Sequence, residues 1–296
     1  MKNFISRPST LSLAWFLLFF SAETFVQAAQ APAISVLSPL NTKANSPTRV
    51  ASDAQGNTYV TDAAGGRLVI LDAFNHVLLE GNELQSPLGI AVDHAGNIYL
   101  GEAGTGSVTI YDAQGLPMAQ LGKGNGEFSL PNYIALDEGT SPTTVYVSDS
   151  PANALKVYQN GALIRTLGGP DSSSAKFDFP AGVWVNTNGN VFCADQNHTR
   201  ILVFDRAGTF LRGFNMGPWN TPGFMGRPAG VTGDNQGRVF VTDTFQDFVK
   251  VFDEQGMLLS TFSGYGEESG QLRSPAGVAL DPRGRLLVAS PNNARL

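Results

Sequence analysis

Acidic side chains recur at the ends of apolar runs in this chain, where carboxylates could bind a cation. Five acids and one serine stand at matching positions: Asp62, Glu102, Asp149, Asp195, Asp243 and Ser290. A functional interpretation makes them a calcium-binding crown, since calcium prefers oxygen ligands. Alternatively, each carboxylate accepts hydrogen bonds from the backbone N–H groups of its own loop. We favour loop capping and expect no cofactor, with Asp149 and Asn153 kept as candidate ligands for one calcium or other divalent cation.

Histidines could instead form a zinc site, if several imidazoles converged about 2.0–2.1 Å from the metal. The chain has three, His76, His94 and His198. The repeat described next places the first two in turns on one face and His198 in a loop on the opposite face, so they are not expected to meet. No G-x-S-x-G elbow, H-E-x-x-H pair or phosphate loop is present, and no hydrolase triad is visible.

A sixfold repeat positions these residues. It opens with proline, followed by small and branched apolar residues, a D-x-x-G-like turn and a second apolar run; the six starts are Pro47, Pro87, Pro131, Pro180, Pro228 and Pro275. A period of about 40 to 50 residues built from short strands is typical of a β-propeller. The fourth repeat predicts strands over residues 181–185, 190–194, 200–205 and 209–214. We therefore predict an all-β, six-bladed propeller over residues 47–296.

Closure of the ring is predicted from the chain ends. The apolar segment 34–40, within a lead segment 29–46, is expected to pair as a strand into the last blade. That blade is nevertheless a strand short, so either it has three strands or the natural chain continues beyond Leu296.

The first 28 residues resemble a secretory signal peptide. Lys2 and Arg7 precede the apolar run 11–22, and small residues follow, with cleavage expected after Ala28 or Ala31. The run is shorter than the ~20 residues that a membrane span needs, although an uncleaved anchor is the alternative. We expect a secreted or periplasmic protein without a membrane span after cleavage.

Charge and cysteine content exclude several functions. The formal net charge is −6 and no basic run occurs, so nucleic acid is not an expected partner. The single cysteine, Cys193, cannot form an internal disulfide and is expected to be buried. We expect a monomer.

The repeat resembles the NHL repeat. The segment 195–201, DQNHTRI, carries nearly the whole middle of that family's pattern, and segments 202–205 and 210–214 complete it. The resemblance covers residues 47–296 and implies a six-bladed propeller. NHL proteins include RNA binders with a basic face, extracytoplasmic interaction domains and a zinc-dependent amidating lyase. Related propellers include gluconolactonases and streptogramin lyase, which use divalent metal. Fold alone does not choose between these functions.

Departures from the repeat predict a binding site on the face formed by the d–a and b–c loops, named from the four strands a to d of each blade. The third repeat position is glycine in four repeats but Arg49 and Tyr133 in the other two. A long d–a loop carries Trp219, Phe224 and Arg227, and a b–c loop carries Phe245. Exposed aromatics beside arginine commonly anchor partners.

Two further residues complete the candidate binding set. Trp184 breaks the run of small residues on the inner strands and either fills a gap between blades or lines the channel; His198 is expected to stabilise its loop. We predict a non-catalytic scaffold for a protein, peptide or small ligand. The alternative is a metal-dependent lyase or lactonase.

Overall fold

The computed structural model describes residues 29–40, 42–81, 83–169, 175–215 and 226–296. The predicted signal peptide lies outside these ranges. The described residues form five four-stranded antiparallel sheets and one two-stranded sheet. The protein is an all-β propeller.

The strands follow the repeats. The first three blades are β1 (Pro47–Ser52), β2 (Thr58–Asp62), β3 (Arg67–Leu71), β4 (Val77–Gly81); β5 (Pro87–Val92), β6 (Ile98–Glu102), β7 (Ser107–Tyr111), β8 (Pro117–Gln120); and β9 (Pro131–Asp137), β10 (Thr144–Asp149), β11 (Ala154–Gln159), β12 (Ala162–Leu167). The next two are β13 (Pro180–Val185), β14 (Val191–Asp195), β15 (Arg200–Phe204), β16 (Phe210–Asn215); and β17 (Pro228–Gly233), β18 (Arg238–Asp243), β19 (Phe248–Asp253), β20 (Leu258–Ser263). The sixth sheet is β21 (Val278–Leu280) and β22 (Leu286–Val288).

The first strand of each sheet lies innermost, and these strands form a closed ring. β1 contacts β5, β5 contacts β9, β9 contacts β13, β13 contacts β17, β17 contacts β21, and β21 contacts β1. Glycine at the third repeat position permits this close approach: a Cβ atom at Gly230 would lie 2.5 Å from the carbonyl oxygen of Ala276, just before the next inner strand around the ring. The glycines therefore set the spacing of the inner strands.

Burial decreases outward along each blade. The second strands β2, β6, β10 and β14 are buried along their whole length, whereas the outermost strand β8 is exposed throughout. The largest apolar cluster lies between the third, fourth and fifth blades and includes Phe192, Cys193 and Phe252. Sheet-to-sheet packing of this kind stabilises a propeller because one blade cannot bury both of its faces alone.

Two predictions about the sixth blade were wrong. The structure has five complete blades, and the sixth sheet has two strands rather than three or four. Residues 34–40 form no strand, although the backbone N–H of Leu40 donates to the carbonyl oxygen of Leu296 at 2.8 Å. After β22 the chain enters a short 3-10 turn, Pro291–Asn293. Consequently no third strand is available within the described residues for segment 34–40 to pair with.

Within the described ranges, no helix has the length and apolar character that crossing a membrane would require.

Candidate binding face

The d–a and b–c loops lie on one face of the ring, which we call the loop face. The second strand of each complete blade ends there with the acidic residue of the repeat, and Ser290 follows β22 at the equivalent position of the sixth sheet. These residues tie the two loops of a blade together. Asp62, for example, accepts hydrogen bonds from the backbone N–H groups of Asn45, Ser46 and Gly65, at 2.8, 3.2 and 3.0 Å.

Basic side chains complete this arrangement. Arg67 Nε lies 3.1 Å from Asp62 Oδ2, and Arg200 Nε lies 2.7 Å from Asp195 Oδ2. Burial alone would raise the pKa of Asp62, but the backbone hydrogen bonds and Arg67 together lower it below the ordinary value. The acids thus cap loops as the sequence indicates.

The candidate cation ligands have separate partners. Asp149 Oδ1 accepts from the N–H of Leu130 at 2.9 Å, and Lys156 Nζ lies 3.0 Å from Asp149 Oδ2. Asn153 Oδ1 instead accepts from the N–H of Phe179 at 2.8 Å, linking its loop to the next blade. Within the described ranges, no group of three or more His, Cys, Asp and Glu side chains is arranged to hold a metal ion.

The histidines lie in three separate local pairs. His198 Nδ1 is 2.9 Å from Asp195 Oδ2 in its b–c loop. His76 Nδ1 lies 3.0 Å from an Asp72 oxygen, and His94 Nδ1 lies 2.6 Å from a Glu138 oxygen. His198 therefore stabilises a loop on the loop face, as the sequence suggests.

Arg49 and Tyr133 lie together near the axis of the ring. The Arg49 guanidinium carbon is 4.0 Å from the centroid of the Tyr133 ring, a cation–π geometry. Arg49 Nε donates to the carbonyl oxygen of Asn132 at 3.1 Å, Nη2 donates to Asn132 Oδ1, and Nη1 donates to the carbonyl oxygen of Thr48 at 2.8 Å. Burial lowers the pKa of Arg49 and raises the pKa of Tyr133.

This pair joins blades that are not neighbours. Arg49 reaches from the first inner strand to the third, and the Tyr133 hydroxyl donates to the carbonyl oxygen of Ala276, which precedes the sixth, at 2.6 Å. Asn132 Nδ2 extends the network by donating to Ser150 Oγ at 2.9 Å. Arg49 and Tyr133 are therefore buried and bonded to other strands of the protein itself.

Trp184 lies between the fourth and fifth blades. Its ring centroid is 5.1 Å from that of Phe192. A Cβ atom added at Gly233 on β17 would collide with the Trp184 ring, so the fifth blade leaves space for it by having glycine there. Trp184 was expected either to fill a gap between blades or to line the channel, and its position matches the gap between blades.

Phe245 is presented to solvent on the loop face. Its side chain is 65% exposed. The loop beneath it is held by Asp243, whose Oδ1 accepts from the N–H groups of Arg227, Phe245 and Gln246 at 2.9, 3.2 and 3.1 Å. Arg227, whose backbone N–H binds the same carboxylate oxygen, is exposed. Trp219 and Phe224 lie outside the described residues.

Sequence reasoning missed a further exposed aromatic of the loop face, Tyr265, in the d–a loop after the fifth blade. Tyr265 is also 65% exposed, and the Arg273 guanidinium carbon lies 5.0 Å from its ring centroid. Asp247 Oδ1 accepts from the N–H of Ser274 at 2.6 Å, which connects this loop to the loop of Phe245. The sequence feature that could have identified Tyr265 is an aromatic residue in a d–a loop, which is also the feature that identified Trp219 as a candidate.

Similar folds occur in solved structures. Neither a protein-family model nor a curated protein matches the chain. The alignment with a streptogramin B lyase spans 88% of this chain and 95% of the lyase, at 12% identity and a TM-score of 0.64. A catalytically inactive virginiamycin B lyase from Staphylococcus aureus, with quinupristin, covers 86% and 80%, at 16% identity and a TM-score of 0.61.

A third similar structure is a gluconolactonase from Xanthomonas campestris. The alignment spans 89% of this chain and 94% of the gluconolactonase, at 17% identity and a TM-score of 0.62. The shared feature is the β-propeller fold. At these identities the similarity extends to the fold alone, and activity has to be argued from this chain's own residues.

Proposed function

We propose that this protein is a secreted or periplasmic, non-catalytic propeller of NHL type that binds a protein or peptide on its loop face. The observation that carries the proposal is Phe245, a large apolar side chain that is 65% exposed on a loop held by Asp243. The equivalent residues of the first four blades are small or polar: Ala64, Gly104, Pro151 and Asn197. A rigid exposed aromatic loses little conformational entropy when a partner covers it.

Arginines in the two flanking d–a loops suggest a particular peptide chemistry. Arg227 is exposed in one of them, and in the other Arg273 stacks on Tyr265 and pairs with Glu267. Aromatic and arginine side chains are enriched among residues that dominate binding energy. We therefore expect the bound peptide to combine an apolar anchor residue with carboxylates.

Selection from a displayed random-peptide library tests this proposal. Peptides enriched on the wild-type protein should bind Phe245→Ala at least about tenfold more weakly, equivalent to about 1.4 kcal/mol. Phe74→Ala is the matched control, because Phe74 is exposed in a c–d turn on the opposite face. Enriched peptides that bind all three proteins equally would contradict the proposal, as would a selection that enriches none.

A metal-dependent lyase or lactonase is the alternative, supported by the fold of the similar enzymes. In this chain several of the repeated acids are engaged in loop caps and pairs with Arg or Lys, and Arg49 and Tyr133 are buried against each other. Turnover of lactones or cyclic depsipeptides in the presence of excess magnesium or calcium would favour this alternative over the binding scaffold.

A further inference from the structure

Arg49 is a buried cation that pairs with no carboxylate of the described residues. Two basic residues are buried in the described ranges, Arg49 at 9% and Lys250 at 8% exposure. Lys250 Nζ lies 3.3 Å from a carboxylate oxygen of Asp243, whereas the charged side chain that faces Arg49 has no counterpart of this kind. A guanidinium keeps its proton in proteins, so the charge is carried into the interior. Such a charge is unfavourable unless an opposite charge compensates for it.

The hydrogen bonds of Arg49 end on neutral oxygen atoms. A guanidinium has five N–H groups, and three of them donate, to the carbonyl oxygens of Asn132 and Thr48 and to Asn132 Oδ1. The other two have no acceptor among the described residues. Asn132 Nδ2 adds a further donor, because one of its two N–H groups is bonded, to Ser150 Oγ, and the other has no described acceptor. Hydrogen-bond donors are thus in excess around Arg49.

The groups beyond these donors supply no negative charge. Ser150 Oγ donates in turn to the carbonyl oxygen of Pro180, and the Tyr133 hydroxyl donates to that of Ala276. Burial raises the pKa of Tyr133, so its phenol is neutral at physiological pH. Burial also lowers the pKa of Arg49, the direction expected of a desolvated cation. The described network therefore leaves the charge of Arg49 uncompensated.

The site lies toward the loop face. Pro47 at the start of β1 pairs with Asp62, so Arg49, the third residue of β1, is near the loop-face end of this strand. Asn132 is the second residue of β9 and lies at the same end. Three other repeats have alanine and glycine at their second and third positions, at 181–182, 229–230 and 276–277. Side chains this small cannot cover Arg49, so a ligand of a few atoms can approach it from the loop face.

We propose that Arg49 binds one small carboxylate group near the axis of the ring, with the Asn132 amide as a second donor. A carboxylate carries the single negative charge that Arg49 lacks, and its two oxygen atoms accept two N–H groups of a guanidinium side by side. A phosphate dianion would bring excess charge. Free small acids and the C terminus of a peptide present the same group. The site does not depend on Phe245.

Sodium formate is the probe, and the Nε–H signal of Arg49 in proton–nitrogen NMR spectra reports its binding. Formate added at constant ionic strength should shift this signal saturably. The Nε–H signal of Arg67, which is already paired with Asp62, should stay in place. Arg49→Lys identifies the signal by removing it. An Arg49 signal that formate does not shift would overturn the proposal, and so would chloride that shifts it with equal affinity.

Asn132→Asp tests the geometry, because Asn132 Oδ1 already accepts from Arg49 Nη2. The new carboxylate should pair with Arg49 and weaken formate binding at least about tenfold. Asn153→Asp is the matched control, since Asn153 lies on the same face but bonds the N–H of Phe179. It should bind formate as the wild type does. Equal affinities of Asn132→Asp and the wild type would overturn the proposal, and the wild-type titration decides it if Asn132→Asp does not fold.

An internal partner is tested separately. Asp171 is the one acidic residue after residue 28 that lies outside the described ranges. Asp171→Asn should leave formate binding unchanged, and formate binding by Asp171→Asn alone would overturn the proposal in favour of an internal ion pair. Phe245→Ala should also bind formate normally, which separates this proposal from the peptide site.

The source of the carboxylate is distinguished with acetyl-trialanine and its C-terminal amide. A saturable shift of the Arg49 signal by the free acid, but not by the amide, supports the site with a peptide C terminus as ligand. A shift by formate without one by acetyl-trialanine supports it with free small acids as ligands. Equal shifts by the acid and the amide would overturn recognition of a carboxylate.

Discussion

Tyr133 and Ala276 connect opposite sides of the ring, because the Tyr133 hydroxyl donates a 2.6 Å hydrogen bond to the Ala276 carbonyl oxygen. The two residues are 143 positions apart in the chain. The same carbonyl oxygen accepts from Thr242 Oγ1 at 2.9 Å. The third, fifth and sixth sheets are thus joined at one acceptor near the axis.

Tyr133→Phe should destabilise the fold by about 1 kcal/mol, the usual net value of one buried hydrogen bond. Ala276 retains Thr242 as a donor, so the loss should not be larger. Urea unfolding measures the change. Tyr265→Phe is the control, because the Tyr265 hydroxyl accepts only a solvent-exposed hydrogen bond, from Arg273, and its removal should alter the free energy of unfolding little. Equal effects of the two substitutions would contradict the cross-ring assignment.

Tyr146→Phe should not lower the free energy of unfolding, in contrast to Tyr133→Phe. The Tyr146 hydroxyl is buried and has no hydrogen-bond partner among the described residues. An unsatisfied buried hydroxyl costs roughly 1–3 kcal/mol, so its removal should leave the free energy of unfolding unchanged or raise it. The same urea measurement applies. A loss of stability as large as that of Tyr133→Phe would show that the hydroxyl is bonded in solution.

Stability should fall in alkaline solution because tyrosines are buried in their neutral form. Burial, followed by the nearby Asp137, raises the pKa of Tyr146 to about 12 from the ordinary value of 10.0. The folded state holds the Tyr146 proton more tightly than the unfolded state does. The resulting stabilisation is complete below pH 10 and is lost as pH rises toward 12. Tyr146→Phe should make the decline in urea midpoint less steep. Identical pH profiles for the two proteins would contradict this.

Acid solution should weaken the loop caps. Burial opposes the charged form of Asp62, but hydrogen bonds from Asn45, Gly65, Arg67 and Ser46 lower its pKa below 3.8. The charged Asp62 therefore stabilises the folded state fully above its ordinary pKa. This stabilisation is lost as pH falls through the lower pKa of the folded state. Asp62→Asn should cost about 1–3 kcal/mol at neutral pH, because Arg67 loses its buried carboxylate partner.

The difference in free energy of unfolding between the wild type and Asp62→Asn should shrink as pH falls and the wild-type carboxylate becomes protonated. Asp112→Asn is a suitable control, since Asp112 caps an exposed c–d turn on the opposite face. A constant difference at all acid pH values would show that the charge of Asp62 contributes nothing to stability.

Strand positions could be predicted because they depend on local sequence. The fourth repeat predicted strands over 181–185 and 200–205, and the structure has Pro180–Val185 and Arg200–Phe204. Alternating apolar residues and D-x-x-G turns contain this information within each repeat. The sixth blade could not be read this way, because a strand needs a paired neighbour as well as an apolar sequence, and segment 34–40 has none in the described structure.

Candidate site residues were found where a repeat position changes type. Arg49 and Tyr133 were recognised because glycine stands at the third position elsewhere. Their actual partners, Asn132 and Ala276, could not be inferred, because a contact across the axis depends on the diameter of the ring. Tyr265 lies in the d–a loop between β20 and β21, and its exposure depends on how Arg273 packs against it.

The contacts of Arg49 and Tyr133 also determine how the molecule comes apart. In an open array of repeats, each unit touches only its neighbours, so terminal units can unfold while the rest persists. Here the first inner strand is bonded to the third, and the third to the residue preceding the sixth. Losing the last sheet would therefore disturb the middle of the chain, and the ring is expected to melt in one cooperative transition rather than blade by blade.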